Sequence, residues 1–153
     1  MKISITPHER EMLTLIARKR HSMNAAAKVT EAKVSNLDGE EITIDGIMGE
    51  YAVCKRYNVL FDISTLPRSG SYDCVINGKR IDVKSTRYPN GRLIKTLKPN
   101  PDVDLYILAI NYTDEVDLIG WMWAKDFVVP EHITDLGYGD IYCVERKKLN
   151  PFV

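Results

Sequence analysis

The sequence has few cysteines, no long apolar run and no net charge, and the first two absences each argue against a class of protein. Cys54, Cys74 and Cys143 form no Cys-x-x-Cys pair, which argues against a disulfide framework and a structural zinc site. No apolar stretch approaches the roughly 20 residues of a membrane-spanning helix. The start, MKISITPHERE, lacks the apolar core of a secretory signal. We therefore expect a cytoplasmic protein without a membrane partner.

The length of 153 residues fits one domain with its own core. No internal repeat, low-complexity run or linker divides the chain, so we predict a single domain over residues 1–153. Helical patterns come first, a hairpin-rich middle follows, and mixed elements end the chain. This order predicts an α/β fold, a mixed β-sheet flanked by helices, with an N-terminal helix at about 7–22 and a core at about 45–145.

Local signals give the expected element boundaries. Thr6, Pro7 and Glu9 form a capping box with proline at the first helical position, which predicts the start of the first helix. Asp38-Gly39 is typical of a hairpin turn, and residues 41–44 alternate like a strand, so Asp45 is the expected cap of a second helix. We expect that helix at 46–57 and a basic loop at 87–101. The expected strands are 59–63, 71–76, 79–85, 104–111, 116–123 and 141–145.

The neutral total hides an uneven distribution of charge. Residues 55–98 carry ten basic and three acidic side chains, whereas residues 99–145 carry ten acidic side chains and only Lys125. Clustered basic residues suit phosphate binding, although the acidic segment can neutralise them after folding and leave an ordinary solvated face. The candidate nucleic-acid-binding residues are Arg68, Ser85, Arg87, Arg92, Lys95 and Lys98.

Asn77-Gly78 lies between two alternating segments and predicts a two-residue hairpin. This dipeptide favours a type I′ turn, because both central residues of that turn need positive φ. The register then places Asp73 directly opposite Asp82, on the face that also carries Lys84, with Cβ atoms about 4.5–5.5 Å apart.

Two carboxylates at that distance repel each other unless a cation offsets their charge. Hard oxygen ligands suit Mg²⁺ or Mn²⁺, so the pair is a candidate metal site. The alternative is a solvated face, on which Asp73 forms a surface salt bridge with Arg80 or Lys84.

Asp73 followed by Asp82-Val83-Lys84 resembles the D…(D/E)xK signature of the PD-(D/E)XK nuclease superfamily. The helix, the hairpin and the later Gly120-Trp121 together resemble its small phage-type members. Gly49-Glu50-Tyr51-Ala52 resembles the G-E-x-A helix motif that supplies another carboxylate in many members. The resemblance covers residues 45–112. Tyr72 stands where the family name has proline, and no clear amphipathic helix follows Lys84.

The resemblance implies a restriction-endonuclease-like core and a nuclease that hydrolyses DNA by a metal-activated water, as an endonuclease or on particular DNA structures. Asp73, Asp82 and the Val83 carbonyl would ligate Mg²⁺ or Mn²⁺, with Glu50 binding directly or through water. Lys84 would hold and help to deprotonate the attacking water. The implied catalytic residues are thus Glu50, Asp73, Asp82 and Lys84.

Other partners and functions stay open at this point. RNA and branched DNA are further candidate substrates, and a duplex cut would need a homodimer or successive nicks. The competing hypothesis is a nuclease-like fold that binds nucleic acid or a protein without cutting. A small-molecule phosphohydrolase is a third class, for which no phosphate-binding Gly-rich loop is present.

Overall fold

The computed structural model describes residues 1–27, 38–67 and 71–153, which form helices and two β-sheets. The helices are α1 (Pro7–Ala26), α2 (Gly39–Tyr57) and the short α3 (Ala124–Phe127). The strands are β1 (Lys2–Ser4), β2 (Cys74–Ile76), β3 (Lys79–Thr86), β4 (Leu93–Thr96), β5 (Leu105–Asn111), β6 (Glu115–Trp123), β7 (Ile133–Asp135) and β8 (Asp140–Val144). In the described ranges, no helix is both long enough and apolar enough to cross a membrane.

The larger sheet contains five strands in the order β1-β6-β5-β3-β2. Strands β3 and β5 are parallel, and the other neighbours are antiparallel. Strands β4, β8 and β7 form a smaller antiparallel sheet. The expected mixed α/β fold with a mixed sheet and flanking helices is confirmed.

Apolar side chains cover both faces of the larger sheet. On one face, Ile81 and Val83 of β3 belong to a buried cluster with residues of α1 and α2, such as Leu13 and Ile47. On the other face, residues of β5 such as Leu108 pack with residues of β4, β8 and α3. Because side chains alternate along a strand, Asp82 and Lys84 face the smaller sheet rather than the helices.

The second helix begins earlier than predicted, at Gly39 instead of residue 46. The Asp38 carboxylate accepts a hydrogen bond from the Glu41 N–H at 2.8 Å, and the Glu41 carboxylate accepts one from the Asp38 N–H at 3.3 Å. This capping box starts the helix, so the predicted turn at Asp38-Gly39 and strand at 41–44 are wrong. Asp45 is therefore a buried residue within α2 rather than its cap.

Two other segments differ from the expectation. No strand forms in 59–63. The carbonyls of Asp62 and of Ser64, just beyond this range, accept hydrogen bonds from the Arg20 side chain. The expected loop at 87–101 contains β4, whose Leu93 and Lys95 are buried while its alternate residues are half-buried. The prolines and the glycine on either side of β4 favour a loop, so the short alternation of β4 did not predict a strand. The N-terminal helix is confirmed with its capping box, and it extends to Ala26.

Candidate active site

The hairpin between β2 and β3 has the predicted turn. Ile76 pairs with Lys79, and Cys74 pairs with Ile81. Asn77 has φ 49° and Gly78 has φ 74°. Positive φ at both central residues fits the type I′ turn that the Asn-Gly sequence favours. The predicted register is therefore confirmed as far as Cys74.

Asp73 lies just before β2 and contacts the edge of β3. Its backbone N–H donates to the Ile81 carbonyl at 2.8 Å, and its carboxylate accepts from the Val83 N–H at 2.7 Å. The carboxylate thus occupies the place of a strand carbonyl, and Asp73 is not in the predicted direct cross-strand pair with Asp82. Because the N–H and C=O of a strand residue point to the same edge, the Val83 carbonyl points toward this edge as well.

The surroundings of Asp73 disfavour its charge. Burial, followed by the negative charges of Glu50 and Asp82, raises the pKa of Asp73 well above its ordinary value. The hydrogen bond from Val83 and the charge of Lys84 act in the opposite direction on this pKa and offset only part of the rise. The structure therefore brings the four predicted catalytic residues into one electrostatic neighbourhood.

Asp82 and Lys84 form a close ion pair on the face toward the smaller sheet. The Lys84 Nζ atom lies 2.6 Å from Asp82 Oδ1, and Asp82 is only 8% exposed. Tyr106 is the register partner of Asp82 on β5, and its ring centroid lies 6.0 Å from Lys84 Nζ. The Tyr106 hydroxyl is buried without a hydrogen-bond partner among the described residues, and burial together with Asp82 raises its pKa. Sequence reasoning missed this tyrosine, although parallel pairing of two buried strands is the signal that places it there.

Glu50 projects from α2 toward α1, where it forms an ion pair with Arg20. The Arg20 Nη1 atom lies 3.2 Å from Glu50 Oε2, and the Arg20 side chain is itself buried. Sequence reasoning missed Arg20, because no local motif connects residues that meet only when two helices pack together.

Gly49 has a structural reason to precede Glu50. A Cβ atom at Gly49 would lie 1.9 Å from the Ser85 Oγ atom, so only glycine allows α2 to approach β3 this closely. The Ser85 hydroxyl is buried and has no hydrogen-bond partner within the described part of the chain. The G-E motif therefore also serves the packing of the helix on the sheet.

A cleft of about 510 Å³ lies beside Asp82 and Lys84, between α2, the end of β3 and β4. Its lining includes seven of the predicted residues: Asp82, Val83, Lys84, Ser85, Arg92, Lys95 and Lys98. Among the described residues, Glu50, Asp73 and Arg87 do not contribute to this lining.

The basic candidates differ in what their charged groups contact. The Arg87 guanidinium donates to Asp45 at 3.0 and 3.2 Å and to Glu41 at 3.2 Å, so α2 holds it in place. The Lys95 ammonium is buried and donates to the carbonyls of Thr96, at 2.9 Å, and Lys98. Burial, then the charge of Lys84, lowers the pKa of Lys95.

The remaining basic candidates are Arg92, Lys98 and Arg68. Arg92 and Lys98 are exposed along the cleft and can meet a phosphate in solvent. Arg68 lies outside the described residues.

The carboxyl groups of Asp73, Glu50 and Asp82 fit a hard divalent cation in their chemistry, because oxygen is its preferred ligand and Lys84 offsets only part of their mutual repulsion. Within residues 1–27, 38–67 and 71–153, however, no three His, Cys, Asp or Glu side chains are grouped as metal ligands. Arg20 and Lys84 already pair with Glu50 and Asp82. Metal binding would therefore compete with these two ion pairs.

Comparison with known proteins identifies no relative of this chain. No protein-family model, curated protein or solved structure matches the chain.

Proposed function

We propose that the protein is a metal-dependent nuclease with a restriction-endonuclease-like core, which hydrolyses DNA phosphodiester bonds. The observation that carries the proposal is the hairpin geometry. Asp73 bonds to the Val83 N–H between Asp82 and Lys84, and the Lys84 ammonium lies 2.6 Å from Asp82. Carboxylates and a lysine at the end of one hairpin, beside a cleft with basic residues, suit hydrolysis of a phosphodiester.

The order of elements supports this core. Helix α2 carries Glu50, the β2–β3 hairpin carries the D…DxK residues, and β5 follows as a parallel neighbour of β3. Two departures stand beside this support, since 59–63 forms no strand and β4 follows β3 where the family pattern has a helix. Both lie outside the hairpin on which the proposal depends.

Asp73 and Asp82 would hold Mg²⁺ or Mn²⁺ together with the Val83 carbonyl, and Glu50 would contribute once released from Arg20. The bound ion would lower the pKa of a water molecule and offset the charge of the phosphate in the transition state. Lys84 follows Asp82 by two residues on the same face of β3, so after displacement from Asp82 it would still lie near that water, which it would orient and help to deprotonate. The exposed Arg92 and Lys98 would bind neighbouring phosphates of the strand.

The test is cleavage of plasmid, single-stranded and branched DNA by the purified chain with Mg²⁺, with Mn²⁺ and with EDTA. We expect metal-dependent cutting that falls about 100-fold or more in Asp82→Asn. The matched control is Asp102→Asn, which changes an exposed aspartate that contacts Arg80 at 3.5 Å. The proposal fails if no substrate is cut, or if the Asp82 variant cuts as fast as the Asp102 variant.

The second candidate is a nucleic-acid-binding module that does not cut. The ion pairs of Glu50 with Arg20 and of Asp82 with Lys84 favour it, because they already neutralise two of the three carboxylates. Salt-sensitive DNA binding without cleavage in either metal would support this function. Binding that stays unchanged in Lys84→Ala would support it further.

A further inference from the structure

One wall of the cleft carries an exposed aromatic ring that the proposed hydrolysis does not use. Tyr88 lines the cleft and is 50% exposed, and the apolar residues Ile42 and Ile94 line the same cleft. Arg92 and Lys98 contribute exposed cations to the lining, whereas Lys84 is already paired with Asp82. A nucleotide needs this combination, since its base favours an aromatic or apolar surface and its phosphate favours cations.

The backbone around Tyr88 is held by hydrogen bonds on both sides. The Gly91 N–H donates to the Tyr88 carbonyl at 2.8 Å, and the Tyr88 N–H donates to Thr86 Oγ1 at 3.2 Å. Arg146 donates to the Pro89 carbonyl at 2.8 Å and so connects this turn to the end of the chain. Little conformational entropy is then lost when a ligand packs on the ring.

Gly91 packs tightly enough to fix the turn against β3. A Cβ atom at Gly91 would lie 2.2 Å from the Thr86 Cγ2 atom, so the turn can lie this close to the strand only with glycine. The ring of Tyr88 therefore starts from a backbone position set by β3, the same strand that carries Asp82 and Lys84.

The size of the cleft limits what can enter it. Its volume of about 510 Å³ lies within the range of roughly 300–1,000 Å³ that is typical of clefts for small-molecule ligands. A base-paired nucleotide would have to leave its stack to enter such a cleft, at a cost in unpairing and unstacking that an unpaired base avoids. The dimensions thus favour a nucleotide from a single strand, a flap or an end.

We propose that the cleft binds an unpaired DNA nucleotide, whose base stacks on Tyr88 while its phosphate lies toward Arg92 and Lys98. This inference rests on the proposed function and specifies its substrate class as DNA with single-stranded character. Tyr88 is a substrate-binding residue in this arrangement, and selectivity comes from stacking rather than from recognition of base edges.

The experiment measures binding by fluorescence anisotropy in EDTA, with the full chain, labelled oligo-dT and a blunt hairpin duplex of equal nucleotide count. We expect oligo-dT to bind at least tenfold more tightly than the duplex. Tyr88→Ala should weaken oligo-dT binding about 5- to 150-fold, the range expected for loss of one base stack. Tyr88→Phe should stay within about twofold of the parent protein.

Two controls separate stacking from a general loss of structure. Tyr138→Ala removes another tyrosine that is 50% exposed, and it should leave binding within about twofold. An oligomer with abasic sites keeps the phosphates but lacks bases, so it should bind the parent protein and Tyr88→Ala equally. Thermal unfolding of each variant shows whether it folds.

The inference is overturned if Tyr88→Ala binds oligo-dT like the parent protein, if Tyr88→Phe loses as much as Tyr88→Ala, or if the duplex binds as tightly as oligo-dT. Metal-dependent cutting that persists beside any of these results leaves the proposed function standing. Absence of binding to every nucleic acid, together with absence of cutting, overturns both. Equal binding of a matching oligo-U retains the stacking and overturns the choice of DNA.

Discussion

Two carboxyl groups that neighbour helix α2 have opposite electrostatic surroundings. Glu9 accepts hydrogen bonds from Lys55 Nζ at 2.8 and 2.9 Å and from the Tyr51 hydroxyl at 2.6 Å. Burial alone would raise the pKa of Glu9, but these bonds lower it to about 2. Asp73 lies near Glu50 and Asp82, and its pKa is raised.

The opposite pKa shifts of Glu9 and Asp73 distinguish a carboxyl group that stabilises the fold, Glu9, from a candidate functional group, Asp73. Tyr51 and Lys55 of α2 compensate the charge of Glu9, whereas Glu50 of the same helix adds to the repulsion at Asp73. Groups that disfavour each other in the folded state persist where they serve binding or catalysis, so a carboxyl group with a perturbed pKa is a candidate functional group. Asp73 does not itself line the cleft, but it accepts a hydrogen bond from Val83, which does. Stability and the proposed activity should therefore respond oppositely to changes at the two places.

The largest expected effect is the loss of cleavage rate when Lys84 is replaced, and Lys55 provides the comparison. Lys84→Ala should lower the rate of DNA cleavage about 100-fold or more, because in the proposed mechanism it removes a group that would orient and help to deprotonate the water. Lys55→Ala should destabilise the protein and leave the cleavage rate of the folded protein within about twofold. Single-turnover cleavage and urea unfolding of both variants measure these effects. Equal losses of cleavage rate in Lys84→Ala and Lys55→Ala would contradict the distinction between a functional and a stabilising site.

Glu9→Gln should lower the free energy of unfolding at pH 7 by about 1–2 kcal/mol, because it removes a compensated charge. The pKa of Glu9 in the folded state, about 2, lies below its ordinary value of 4.5. Its ionised form therefore stabilises the fold above pH 4.5, and this contribution is lost as the pH falls toward 2. Urea unfolding from pH 7 to 2 should show the variant and the parent converging at the acid end. A constant gap across this range would contradict the assignment.

The smallest expected effect is a gain in the free energy of unfolding rather than a loss. Asp73→Asn should raise the free energy of unfolding in EDTA by roughly 1 kcal/mol, because it removes repulsion with Glu50 and Asp82 while its amide oxygen still accepts from Val83. A carboxyl group with a raised pKa destabilises the fold as the pH rises above its unfolded value, near 3.8. The gain should thus be absent below that pH and grow above it. Urea unfolding in EDTA across this range measures it, and a loss of stability at neutral pH would contradict the account.

The sequence predicted the elements whose signals are local. The Asn77-Gly78 turn needs positive φ at two adjacent residues, and the capping box at Thr6 and Glu9 starts α1, so both were accessible from short patterns. The buried run of β5 was equally clear from its continuous apolar residues.

The predictions that failed depended on choices between local signals or on distant contacts. Asp38 with Glu41 fits a capping box, but Asp38-Gly39 also fits a hairpin turn, and the local pattern alone does not decide between them; the structure has the capping box. The pairing of Arg20 with Glu50 and of Arg87 with Asp45 joins residues 30 and 42 positions apart. Hydrophobic periodicity carries no information on such distant contacts. The sequence therefore could not show which basic side chains are already paired with a carboxylate.

The most direct test of the metal site is anomalous diffraction from crystals grown with Mn²⁺. The account predicts an anomalous peak in contact with the carboxylates of Asp73 and Asp82, with the Lys84 ammonium displaced from Asp82. The peak should disappear in Asp73→Asn. Crystals at millimolar Mn²⁺ that show no peak there and retain the Lys84–Asp82 ion pair would contradict the metal-dependent mechanism.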